Sequence, residues 1–156
     1  MAANETVTSA KRLAAYIVNK CVADGYPVSN LQLQKMMYFL QTVYCRATGG
    51  QLLFPDEFEA WPYGPVLREI YEEYSDYGGN VIIPATPAYK QLEVPSTVGK
   101  FIDDGIESLR AKYPWDLVRI SHAKGSPWDQ VYQGGSGYKQ IIPNDLLINV
   151  VRSANN

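Results

Sequence analysis

Residues 29–50 constrain this chain more than any other stretch. Ser29 followed three residues later by Gln32 makes a capping box, in which each side chain accepts the other residue's otherwise unpaired backbone N–H. Val28 ahead of the cap and Leu33 behind it can close a hydrophobic staple. Leu31, Leu33, Met36, Met37, Phe39, Leu40, Val43 and Tyr44 then spread apolar surface over most of a helix circumference, until Gly49 and Gly50 stop it. A helix that is apolar on nearly every side has to be enclosed by other elements. The expected fold is therefore one compact domain, over residues 5–153, wrapped around a central helix at 29–48.

The remaining elements follow from periodicity and punctuation. Ala10, Leu13, Ala14, Ile17, Val18 and Cys21 make one stripe of a first helix over 9–24, with Gly25 as its left-handed terminator and Pro27 beyond it. Phe58–Pro62 reads as a short strand. Gly64-Pro65 then starts a third helix reaching Tyr77, with Ile70, Tyr71, Tyr74 and Tyr77 on one side. Val81–Pro84 is expected as a short strand inside a proline-rich loop. Ser96 or Thr97 caps a fourth helix that Pro114 ends, and a short helix covers 116–122. Ser126, with Pro127 at the first helical position and Asp129 at the capping-box position, starts another. Tyr138–Ile142 reads as a strand, and a last helix follows Pro143. The class is mainly α, an α-rich α+β domain of about six helices with a small β element.

Composition limits the function. An apolar fraction of 46% and a charged fraction of 19% belong to an ordinary globular chain. The net charge of −2 gives no basic surplus for a phosphate backbone, so nucleic acid is not an expected partner. No apolar run approaches the roughly 20 residues that span a bilayer, and the first residues lack the signal-peptide pattern, so the expected compartment is the cytoplasm, with no membrane partner. Cys21 and Cys45 fall within helices and read as buried thiols. With His122 as the single histidine and no CxxC, no zinc set is available, and no cofactor is expected.

Three groups invite a chemical reading. His122 can serve as a general base with Asp116 or Asp129 orienting it, or it can simply cap a helix or bond a loop carbonyl. No serine or cysteine sits in a nucleophile elbow, and the carboxylates at 56–59 and 69–73 alternate around loops and helix faces rather than facing one another. Gly134–Tyr138 lacks the lysine of a phosphate loop. The aromatics are the third group. Trp61-Pro62-Tyr63-Gly64-Pro65 is a stiff element whose rings either plug the core or anchor a partner, since rigid rings with polar tips are favoured at interfaces.

Three segments of this kind occur together: Leu33-Gln34-Lys35-Met36-Met37-Tyr38-Phe39-Leu40-Gln41, then Glu59-Ala60-Trp61-Pro62-Tyr63-Gly64-Pro65-Val66, then His122 with Pro127-Trp128. In this order they resemble the Panacea, or SocA-like, antitoxin domain. Met36-Met37 stands where that pattern has leucines, a volume-conserving change. The resemblance implies an antitoxin, not an enzyme, of a family whose members also occur in phages and prophages, so a phage or prophage association is one expectation. Such an antitoxin would neutralise a cognate protein toxin encoded beside it by direct complex formation, or act as an adaptor delivering the toxin to a Clp-type protease. The candidate partner-binding residues are Trp61, Tyr63, Pro65, Glu69, His122 and Trp128, with no catalytic or metal residue.

Overall fold

A computed structural model describes residues 6–85 and 91–154. Its centre is α2, Asn30–Thr48. The expected capping box is present in both directions: Gln32 N–H donates to Ser29 Oγ at 3.2 Å, and Ser29 N–H to Gln32 Oε1 at 3.0 Å. Gly49 ends the helix in the left-handed conformation, at φ 72°. Around it pack α1 (Ala10–Ala23), α3 (Arg68–Glu73), α4 (Ser96–Arg110), α5 (Pro114–Ser121) and α7 (Asn144–Ala154). The sixth helix, α6 (Pro127–Tyr132), leans on the sheet and on α7. The described residues thus hold seven α-helices, one more than expected, and the fold is mainly α with a small sheet. Met36, Met37, Leu33 and Leu40 are in one core with Leu13, Ile17, Phe54, Phe58, Ile102 and Ile106. Phe39 is only half-buried and Val43 is exposed, so α2 does reach solvent along one narrow line. Cys21 and Cys45 are free and buried.

The sheet has the order β2-β1-β3, all antiparallel: β1 is Phe58–Trp61, β2 Gly64–Val66 and β3 Ile141–Ile142. Here the structure corrects the sequence reading. Gly64-Pro65 does not start a helix; it returns the chain as a strand, with Trp61 opposite Gly64 and Ala60 opposite Pro65. A proline tolerates this because Ala60 spends its N–H on Gln140 O and its C=O on Lys139 N–H, on the far side. Pro65 therefore needs no N–H toward β1, and an edge strand suits it. The third helix begins only at Arg68 and ends at Glu73, followed by a 3₁₀ turn at Ser75–Tyr77.

Other boundaries shift for physical reasons. Val81 makes a single bridge to Ser29, not a strand over 81–84. Neither Ser96 nor Thr97 caps α4; Pro95 precedes it with no side-chain cap. Pro114 does not end a helix but opens α5 at its first turn, where its missing N–H is harmless. The strand expected over 138–142 shrinks to two residues, because Gly137–Gln140 is a turn. Ser126 caps α6 as expected, accepting Asp129 N–H at 3.1 Å.

Candidate functional site

The three segments singled out in the sequence meet at the β1–β2 hairpin. From below, α2 grips the returning chain with polar side chains that lie inside the core. Gln34 Oε1 accepts Leu67 N–H at 2.8 Å, and Lys35 Nζ donates to Pro65 O at 2.9 Å. One helical repeat further on, Gln41 does the same for the chain entering the hairpin, accepting Leu53 N–H at 2.7 Å and donating to Phe54 O at 2.8 Å. Burying backbone groups outside a ladder is costly unless each finds a partner, and these side chains supply the partners. From the side, Trp128 Nε1 donates to Trp61 O at 2.7 Å.

Behind Trp128 the rings are layered. His122 stacks on it with ring centres 3.8 Å apart, and Tyr132 also stacks on Trp128, at 4.6 Å. His122 is the C-terminal cap of α5, as the structural reading of this residue had it. Its buried Nε2 has no hydrogen-bond partner. Burial, and to a lesser degree the nearby Lys35, hold its proton affinity below the ordinary histidine value. Neither aspartate orients it: Asp116 pairs with Arg119 at 3.1 Å, and Asp129 accepts Gly125 N–H at 2.9 Å.

On its outer side the hairpin displays aromatics. Tyr63 is 59% exposed and meets Trp115, 50% exposed, edge-on at 5.3 Å. Ile120 is exposed on the same short helix. Toward α3, Trp61 is half-buried against Tyr71 at 5.1 Å and Tyr138 at 6.2 Å, with Lys139 Nζ 5.4 Å above its ring. Trp61 Nε1 donates to Glu59, which Arg68 also holds through two bonds of 2.9 Å. Partial burial raises the proton affinity of Glu59, but those bonds outweigh it and keep the carboxyl below its ordinary range. Glu69 is exposed on α3.

The six candidate residues thus divide. Tyr63 and Glu69 face outward, Trp61 and His122 are half-buried, and Pro65 and Trp128 are interior, where they fix the hairpin rather than present a surface. Trp115 was missed, although its place off the Leu117–Val118–Ser121 face of α5 marks it as outward-pointing. Gln34, Lys35 and Gln41 were also missed. Their signal was polarity at positions enclosed by an otherwise apolar helix.

The family described as "Antitoxin SocA-like, Panacea domain" matches residues 33–129, from the first buried turn of α2 to the start of α6. Antitoxin SocA of Caulobacter vibrioides (strain NA1000 / CB15N) is 32% identical over 134 residues, which covers 80% of this chain and 71% of that protein. No solved structure matches.

Proposed function

Because the chain belongs to the Antitoxin SocA-like, Panacea domain family, we propose that it neutralises a protein toxin encoded beside it by binding that toxin directly, in the cytoplasm and without turnover. The binding surface is the outer face of the β1–β2 hairpin with the adjoining sides of α5 and α3. One observation carries this reading: Tyr63 and Trp115 stand half or more exposed, ring against ring, on elements whose backbones are fixed from within. Large rings held this way lose little freedom on docking and can supply the few anchors that dominate an interface. Pro65 and Trp128 contribute from beneath. Among the described residues no helix is long and apolar enough to cross a membrane.

The test pairs stability with neutralisation. Tyr63→Ala combined with Trp115→Ala should leave the melting temperature within a few degrees of wild type, because both rings are largely outside the core. The same variant should no longer rescue cells from the toxin, and purified components should show the same loss without any protease present. Wild type should titrate the toxin to a stoichiometric end point. Rescue by the folded double variant would move the surface elsewhere, first to the His122–Trp128 loop. Neutralisation by far less than one equivalent would overturn the non-enzymatic reading. Delivery to a Clp-type protease has no structural observation in its favour, and rescue that vanishes in a protease-deficient host would be needed to revive it.

A further inference from the structure

Lys35 is completely buried in the first half of α2, yet its amine has one acceptor, the carbonyl of Pro65 at 2.9 Å. The strand above it presses close. A Cβ on Gly64 would lie 3.0 Å from Lys35 Nζ and 2.7 Å from Ser121 Oγ, so the hairpin backbone, the amine and the end of α5 share one tightly packed point. What faces the amine carries no compensating charge. From β2 come Gly64 and Pro65. From the end of α5 come Ser121, whose hydroxyl donates to Val118 O at 2.7 Å, and His122, whose charged form would repel it. Among the described residues no carboxylate on α1, α3, α4 or α7 acts on it, and burial is what depresses its proton affinity. An ammonium enclosed with a single carbonyl and no counter-ion is costly, whereas a neutral amine in the same place needs no counter-ion and keeps that bond.

We infer that Lys35 is a proton-sensitive latch beneath the β1–β2 hairpin: neutral, it seals the hairpin onto α2, and protonated, it favours a state in which the hairpin lifts to admit water. The hairpin is the element able to yield. Its second strand is the sheet edge lying over the amine: Lys35 and Gln34 tie it to α2, the β1–β2 pairing and the Arg68–Glu59 bonds tie it to β1, and the tip at Pro62 and Tyr63 is in solvent. The unpartnered Nε2 of His122 next to the latch works in the same direction, since that ring too is more easily protonated once exposed. The inference does not depend on what the hairpin binds.

Amide hydrogen exchange on the isolated protein tests it. The probes are Ala60, which donates to Gln140 O, and Leu67, which donates to Gln34 Oε1. Relative to the intrinsic rates of an unstructured chain, their protection should rise between about tenfold and fiftyfold from pH 7 to pH 9, because the open state binds the proton that the closed state excludes. At both pH values they should be less protected than Ile17 in α1. Lys35→Met, which keeps the stem and removes the amine, should make protection of both probes independent of pH. A pH-independent wild type, or a pH dependence that survives in Lys35→Met, would overturn the latch. So would protection at Ala60 and Leu67 equal to that at Ile17, which means the hairpin opens only when the domain unfolds. Should the methionine variant fail to fold, the carbon-13 shift of Lys35 Cε in the wild type decides: a midpoint near neutral supports the latch, and one above pH 10 removes it.

Discussion

Lys35 is the residue whose ionisation the whole domain feels. In the folded chain burial takes its pKa down from 10.5 to about 7. Between those values the unfolded chain binds a proton that the folded one does not, so stability must rise with pH across that interval. Below pH 7 both states are protonated and this residue adds no further slope, although the depressed His122 continues the same trend into the histidine range. From pH 7 to pH 9 the unfolding free energy should increase by roughly 1.5–2.5 kcal/mol. Urea melts at the two pH values measure it, and Lys35→Met should remove the increase, leaving the opposite slope of the buried Cys21 and Cys45 thiols, which burial pushes up. A domain equally stable at both would mean that the amine keeps its charge through solvent or a partner group. The same crowding explains Gly64, whose φ of 109° and close neighbours leave no space for a side chain.

At the scale of elements, α2 supports its neighbours in two ways, and they should differ in cost. Its apolar side fills the core. Its buried amides take the place of a strand, pairing with the backbone on either side of the hairpin through Gln41 at Leu53–Phe54 and Gln34 at Leu67. Gln41→Leu keeps the volume but orphans three buried backbone groups, the N–H of Leu53 and both the N–H and C=O of Phe54, for an expected loss of roughly 2–4 kcal/mol. Ser126→Ala removes only the α6 cap, for about 1 kcal/mol. Chemical denaturation of the two variants side by side should reproduce that order, and a Gln41→Leu protein as stable as wild type would mean that water replaces the amide. This division also explains what the sequence disclosed. The α2 capping box, the Ser126 cap, the stripes of α1 and α2 and the glycine stops were legible because they are local in the chain. The start of α3 was not, because Gly64-Pro65 reads equally as a helix opening or an edge strand. The choice was made by β1 and by a lysine 30 residues away. The candidate site was half legible for the same reason. Aromatic composition pointed to Trp61 and Tyr63, but only the packing of α5 on β2 brings Trp115 to Tyr63, and only that of α6 on β1 turns Trp128 inward.

Taken whole, the molecule is nearly neutral, with a net charge of −2, yet its charge is uneven around the hairpin. Glu69, Glu72 and Glu73 on α3 and Asp76 in the turn after it are all exposed, and among the described residues none of them is in a salt bridge. Arg68, from the same helix, is committed to Glu59. The aromatic face is therefore flanked by uncompensated negative charge on the α3 side. Such a rim governs how quickly a partner arrives more than how long it stays, whereas buried rings govern dissociation. If the toxin docks here, Glu69→Arg should lower the association rate severalfold at low ionic strength and leave dissociation almost unchanged. Raising the salt from about 0.05 M to 0.5 M should erase the difference between that variant and wild type, since the screening length then falls well below the size of the interface. Tyr63→Ala should behave in the opposite sense, with association nearly normal and dissociation faster by at least tenfold. Surface-binding kinetics on the purified pair separate the two. A Glu69→Arg variant whose association is unchanged at low salt would place the toxin away from α3, and a Tyr63→Ala variant that dissociates like wild type would remove the hairpin tip from the interface.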